Sequence, residues 1–332
     1  QYYYQPNKMG TISQVNLYAR ELEQDITEPL QVQLFGKVEV QLEDAVEFNL
    51  FESGDGTESS PYTIATAEQF SNIALRDAQN ENVYFELASS FELTLSEYDH
   101  VLNSFYGNLN GNGNTITVNF EKQNYENAQN KGSVALGSGS TTVNFMHAQS
   151  IIGTIAQTAV VENLNLTLNQ QISGEGYQPT VLSGLALNNY GTVANVNVSL
   201  SSSQYSNSLS SLALAGVVGF NYGTIEACQN NASFAHTYPS SAMILIYGGI
   251  ALQNATNGVI KGCLNNGDIS VVVRAAGSGV YGSGVVYDNN GGQVYACGNN
   301  GEIAFEGSAQ FAAAFGGVIG RNMGRAGYLF NN

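Results

Sequence analysis

The chain has no tryptophan, three cysteines, three histidines and five prolines in 332 residues, with 10 Lys and Arg against 27 Asp and Glu. Each shortage excludes something. A formal net charge of -17 leaves no basic footprint of the kind a phosphate backbone requires, so no nucleic-acid partner is expected. His100, His147 and His236 stand at long, nonrepeating intervals that make no metal motif, and no cofactor is expected. Three cysteines cannot build a disulfide framework, and the odd count leaves at least one without an intramolecular partner. No window approaches the roughly 20 apolar residues that cross a bilayer. No basic region followed by an apolar segment opens the chain, and Gln1 is not a translation start, which fits either a removed signal peptide or a trimmed end. Richness in Tyr and Asn with little Lys reads as a secreted or cell-surface, extracellular polypeptide.

What is present is a short unit written repeatedly. It runs Gly248-Gly249-Ile250, Gly258-Val259-Ile260, Cys263-Leu264-Asn265-Asn266-Gly267-Asp268-Ile269, and returns around Gly216 with Cys228 and around Gly284 with Cys297. The cysteines are 35 and 34 residues apart, and Gly184, Gly216, Gly249, Gly284 and Gly317 follow at steps of 32, 33, 35 and 33. Such a period marks a repeat architecture. Each copy holds short β-branched runs broken by Gly and Asn, with no stripe long enough for a helix. A unit of this kind cannot bury its apolar face alone, so units stack. The expected fold is all-β: a right-handed parallel β-helix over residues 54–332 with a small N-terminal β module or cap.

Within that fold Cys228, Cys263 and Cys297 are expected to form a buried stack of small apolar side chains. Asn230, Asn231, Asn265, Asn266, Asn299 and Asn300 recur just after the cysteines and read as a turn ladder, amides bonding from coil to coil. Asn124 to Ser140 is polar and reads as a loop or decoration. Thr66 and Gln69 sit as cap and capping-box partner of a short helix covering one end of the coils. Asn165, Asn197, Asn231 and Asn254 satisfy the short N-glycosylation rule, which an Asn-rich strand protein meets easily.

Residues 1–53 differ. Tyr2, Tyr3 and Tyr4 open an arm without a local packing partner, and Val32 to Leu50 alternates as two or three strands, so this region is a candidate docking element between subunits. At the other end Leu329 takes the place of Cys297 and Asn331-Asn332 that of Asn299-Asn300, with no amphipathic cap after them. An edge left open there is covered by further coils of a longer chain or by another subunit; Leu329 and Phe330 join the tyrosines as candidate assembly contacts.

Gly54-Asp55-Gly56-Thr57, Pro61 to Ile64, Ala67 to Phe70 and Phe105 to Ile116 resemble the segment preceding GLUG-type repeats of microbial surface proteins, and Gly216 to Asn231 resembles the repeats themselves. The resemblance implies a parallel β-helix in an exported adhesin or surface-associated protein and carries no catalytic residue. Parallel β-helices also include polysaccharide lyases and hydrolases, for which Asp268, Asp288 and Glu302 are the acidic candidates here, all beside Asn-Gly turns. A flat threonine face of the ice-binding kind is not expected, since Thr115/Thr117 is not repeated through the later coils. The resulting expectation is a non-enzymatic extracellular structural protein that stacks end to end with copies of itself into a filament or stalk. The alternative is an adhesin module binding a surface glycan or protein, and a carbohydrate-active enzyme stands behind both.

Overall fold

The computed structural model describes residues 50–332 apart from 77–81, 96–99, 123–129, 138, 140, 174–178, 206–210, 239–243, 274–278 and 308–311. Tyr2 to Tyr4 and the alternating stretch from Val32 to Asn49 lie outside the described residues, and Leu50–Asn332 forms one compact unit. That unit is a parallel β-solenoid. Its longest ladder stacks nine segments, from Tyr62–Ile64 through Tyr84–Leu87, Asn108–Asn110, Val160–Ser173, Thr192–Tyr205, Thr224–Glu226, Val259–Lys261 and Gln293–Tyr295 to Arg325–Gly327. A second sheet of twelve strands holds two strands of each later coil, such as Ser211–Ala215 and Val218–Asn221. Phe234–Tyr238, Ile269–Val273 and Ile303–Gly307 form a third, three-stranded sheet.

Alternation explains which side chains fill the interior. In the longest ladder Phe85, Leu109, Val161, Val193, Ile225, Ile260 and Val294 align in register and are all buried. Each such side chain contributes roughly 1.5–3 kcal/mol when removed from water. The next inward column runs Leu164, Val196, Cys228, Cys263, Cys297 and Leu329. The cysteines therefore occupy positions held elsewhere by valine and leucine, all three are free and buried, and they act as small apolar side chains.

Two backbone columns make the corners. Asn163, Asn195, Ala227, Gly262, Ala296 and Tyr328 follow one another in register, all with positive φ, so the chain turns through a left-handed residue once per coil. Gly184, Gly216, Gly249 and Gly284 form the other, and here the reason is space: a Cβ on any of them would overlap the carbonyl oxygen of the glycine one coil on. The repeat period seen in the sequence is the spacing of this contact.

The end nearest Leu50 is closed. Glu52 N–H donates to Thr63 O and Thr63 N–H to Ser53 O, each at 2.9 Å, so the chain pairs antiparallel with the first strand. Helices Ala67–Ser71 and Ile73–Arg76 follow, burying Phe70 and Ile73, and Phe70 packs against Phe91 with ring centroids 5.8 Å apart. Thr66 caps the first helix by accepting from Gln69 N–H at 3.2 Å, while Gln69 Oε1 reaches back to Ala65 N–H at 2.7 Å, one residue earlier than a capping box requires.

One expectation becomes specific. Of the polar stretch read as a loop or decoration, Gly132–Leu136 is a decoration, pairing antiparallel with Thr141–Phe145 in a hairpin. Val134, Leu136, Val143 and Phe145 lie on the outside of the solenoid against Val181, Leu187, Phe220, Ile246, Leu252 and Tyr287, making a second hydrophobic core. Polar neighbours hid the alternation of Val134 and Leu136, and a hairpin occurring once leaves no repeat signal.

Candidate functional site

The side chains that recur through the coils are amides: a short ladder joins Asn110, Asn163 and Asn195 in the earlier coils, and three longer ones run through the later coils. In the interior Asn230, Asn265 and Asn299 each pass a hydrogen bond from Nδ2 to the Oδ1 of the next, ending on Asn331, at 2.7, 2.7 and 2.8 Å. Asn230 and Asn265 are fully buried and Asn299 is 1% exposed. Their neighbours Asn231, Asn266, Asn300 and Asn332 form a ladder at the surface that runs the other way, each Nδ2 donating to the Oδ1 of the coil before, at 2.9, 2.9 and 2.7 Å. Both ladders had been legible from the Asn-Asn repeats.

The third ladder had not. Asn189, Asn221, Asn254 and Asn289 are fully buried, and each Nδ2 donates to the next Oδ1, the last onto Asn322, at 2.8, 2.8, 3.0 and 2.7 Å. Each also donates to a backbone carbonyl of the following coil, Thr224, Val259, Gln293 and Arg325 in turn. These asparagines stand five residues after Gly184, Gly216, Gly249, Gly284 and Gly317, so the glycine spacing carried the signal. Asn254 satisfies the glycosylation rule but is sealed in this ladder; of the four sequons only the one at Asn231 is exposed, with Asn165 and Asn197 partly covered.

The acidic candidates divide. Asp268 and Glu302 are exposed neighbours on adjacent coils, with Asp268 Oδ1 accepting from Glu302 N–H at 2.8 Å. Asp288 lies on another sheet, fully buried beneath the hairpin, where it accepts from Arg321 Nη1 at 2.6 Å and Gln253 Nε2 at 3.0 Å. Tyr287 beside it donates to Ala135 O at 3.1 Å and accepts from Gly137 N–H at 3.0 Å; burial pushes its hydroxyl up to about 12. The three carboxylates thus serve turn and packing positions, not one site.

The histidines are also scattered. His100 Nδ1 lies 2.8 Å from Ser150 Oγ, His147 is buried in the twelve-stranded sheet, and His236 sits in the three-stranded one, its imidazole depressed to about 4 by burial. Among the described residues no group of three His, Cys, Asp or Glu could hold a metal ion. The thiols are turned away from chemistry. Cys263 is raised well above the usual thiol range, chiefly by its hydrogen bond with Cys228, and Cys297 is raised by its bond with Cys263 and by burial.

Two surfaces remain open. On one side of the solenoid Tyr190 and Tyr222 stack face to face, 4.7 Å between centroids and 7° between planes, with Tyr190 46% exposed. On the long sheet Thr117, Thr167 and Ser199 align in register, as do Thr115, Asn165 and Asn197, so the hydroxyl and amide rows extend over more coils than Thr115/Thr117 alone suggested. The other surface is the last coil. Among the described residues its strands Ala312–Gly316, Ile319–Asn322, Arg325–Gly327 and Phe330–Asn331 pair on one side only. Phe330, Leu329, Met323 and Tyr328 are exposed there.

No family model matches the chain, and no curated protein matches it. A solved structure named "a putative immunoglobulin A1 protease from Bacteroides ovatus" is similar, with a TM-score of 0.50 and 14% identity over 85% of this chain and 87% of that one. At that identity the likeness shows the fold alone. Among the described residues no helix is long and apolar enough to cross a membrane.

Proposed function

We propose that this chain is a non-enzymatic extracellular structural protein whose coils stack end to end with other copies into a filament or stalk; the resemblance to GLUG-type repeats supports its place at a surface, not the stacking. The observation that carries this reading is the direction of the amide ladders. In the two buried ladders each asparagine donates its Nδ2 to the coil that follows, so the forward face of a coil offers aligned amide donors to the next one, while the surface ladder donates to the coil before. Among the described residues the unpaired forward strand edges and the exposed apolar side chains of the last coil lie on that same face. Such an edge accepts a further β layer in register. A ladder-reinforced rod is a mechanical element, since each coil contacts only its neighbours and strain passes along the axis.

Negative-stain electron microscopy with light scattering across concentration, on protein whose two ends are verified by intact mass, tests the reading. Regular fibres with one subunit repeat support it; a monomer at every concentration overturns it. A second reading is an adhesin, favoured by the Tyr190–Tyr222 stack, because exposed aromatic faces suit the apolar faces of sugar rings. Saturable glycan binding lost in Tyr190→Ala, by a chain that stays monomeric, selects it. A protease reading comes only from the name of the Bacteroides ovatus structure, and incubation with immunoglobulin A1 tests it directly.

A further inference from the structure

We propose that Asn290 is a site of spontaneous covalent modification, where the chain converts its own asparagine to aspartate and isoaspartate through a cyclic imide. The inference is independent of end-to-end assembly and of the adhesin reading.

Asparagine is a thermolabile residue. It is most reactive before glycine, which has no side chain to shield its backbone nitrogen. That nitrogen attacks Cγ of the asparagine and gives up its proton. A new C–N bond forms, the Cγ–Nδ2 bond breaks, and ammonia leaves with the proton. The imide ring then takes up water and opens at either carbonyl, giving aspartate or isoaspartate. The sum is an amide and water going to a carboxylate and ammonia, with no oxidant, reductant or cofactor. Two conditions govern the rate: the glycine N–H must be released from any hydrogen bond, and the amide must be able to rotate onto it.

This chain turns many of its corners on such pairs, namely Asn110-Gly111, Asn112-Gly113, Asn257-Gly258, Asn266-Gly267, Asn290-Gly291 and Asn300-Gly301. Four of the glycines are tied. Gly111, Gly113, Gly258 and Gly267 donate their N–H groups to the carbonyls of Glu162, Asn163, Ala255 and Asn230, at 2.8, 2.7, 2.8 and 3.2 Å. The N–H groups of Gly291 and Gly301 donate to no backbone carbonyl among the described residues. At Gly301 the asparagine is held instead: Asn300 donates to Asn266 Oδ1 at 2.9 Å and accepts from Asn332 Nδ2 at 2.7 Å. The surface ladder thus protects the corner that it occupies. Asn290 has neither safeguard. It is exposed, its amide makes no hydrogen bond among the described residues, and Gly291 beside it is exposed at φ 87°, meeting Ala255 only in an isolated bridge.

The products act on what lies next to them. Aspartate adds a negative charge two residues along the strand from Asp288. Isoaspartate adds a carbon to the backbone just after Asn289, whose Nδ2 donates to Asn322 Oδ1 and Arg325 O, and so loosens that rung of the buried ladder.

The test uses the full-length chain, incubated in heavy-oxygen water at neutral and at mildly alkaline pH, with peptide mapping of each Asn-Gly pair by the mass gained. Asn290 is expected to react first and about tenfold faster than the other five, since each of those must open at least one hydrogen bond beforehand. The rate should rise with pH, because the attacking nitrogen loses its proton. In urea the six rates should converge. Asn290→Ser should remove the first product and leave the other rates unchanged, with circular dichroism verifying the fold. A folded chain in which Asn290 reacts no faster than Asn266 or Asn300, or in which urea leaves the order unchanged, overturns the inference.

Discussion

Replacing Asn265 by alanine removes one rung of the buried ladder, and the structure says how much that costs. Asn265 accepts from Asn230 Nδ2 at 2.7 Å and donates to Asn299 Oδ1 at 2.7 Å and to Gly267 O at 2.8 Å. Each lost bond is worth about 1 kcal/mol net, and a buried acceptor left without a donor costs a further 1–3 kcal/mol. Asn230 is partly compensated because its Nδ2 also reaches Tyr247 Oη at 3.0 Å, so the burden falls on Asn299 Oδ1. The expected loss is about 3–5 kcal/mol. Asn266→Ala removes a rung of the same shape from the surface ladder, where bonds of 2.9 Å to Asn231 and from Asn300 are replaced by water, and is expected to cost less than about 1 kcal/mol. Urea unfolding of both variants, with equal m-values required, makes the comparison. The double variant Asn265→Ala/Asn299→Ala should cost clearly less than the sum of the two singles, since it removes the stranded oxygen along with its donor. Equal costs for Asn265→Ala and Asn266→Ala would refute the argument that burial sets the worth of these ladders.

Three further outcomes are expected. Ala296 sits in the left-handed corner at φ 53°, where a Cβ costs roughly 1–2 kcal/mol, so Ala296→Gly should raise the unfolding free energy read from urea titration by about 0.5–1 kcal/mol after the added chain entropy is subtracted. His236 is neutral in the folded chain down to about pH 4, whereas the unfolded chain takes up the proton near 6.5. Stability should therefore fall as pH drops from about 6.5 to 4, and His236→Gln should flatten that slope when the two chains are titrated side by side. Tyr287→Phe removes both hydroxyl bonds to the hairpin and should cost about 1–2 kcal/mol, with hydrogen exchange quickening at Ala135 and Leu136 before the coils beneath them open.

What could be read from the sequence was whatever the repeat wrote down more than twice. The glycine column, the cysteine stack and the Asn-Asn ladders each occupy a fixed place in the period, and stacking makes a fixed place into a contact. The ladder from Asn189 to Asn322 obeys the same spacing but is hidden in the sequence because its neighbours change: Asn189 precedes Tyr190 and Asn254 precedes Ala255. The hairpin and the Asp288–Arg321 pair were illegible for a different reason. They occur once, and they bring Ala135 beside Tyr287 across 152 residues, a distance over which no local pattern carries information. Chemistry fared as single features do: nothing in the spacing of Asp268, Asp288 and Glu302 told that the first and last are neighbours and the second is sealed away.

The hairpin also sets a clock. A solenoid can add coils in order as its chain emerges, each new coil resting on the one before. The hairpin cannot finish in order, because the tyrosine that anchors its tip follows it by 152 residues. At synthesis rates of 5–20 residues per second, Ala135 waits roughly 8–30 s for Tyr287. For that interval the apolar face of the hairpin can settle on Val181, Leu187, Phe220, Ile246 and Leu252 as they emerge, but its tip lacks the hydroxyl anchor, so the outer core closes in steps and the arrival of Tyr287 locks coils that the chain made long before.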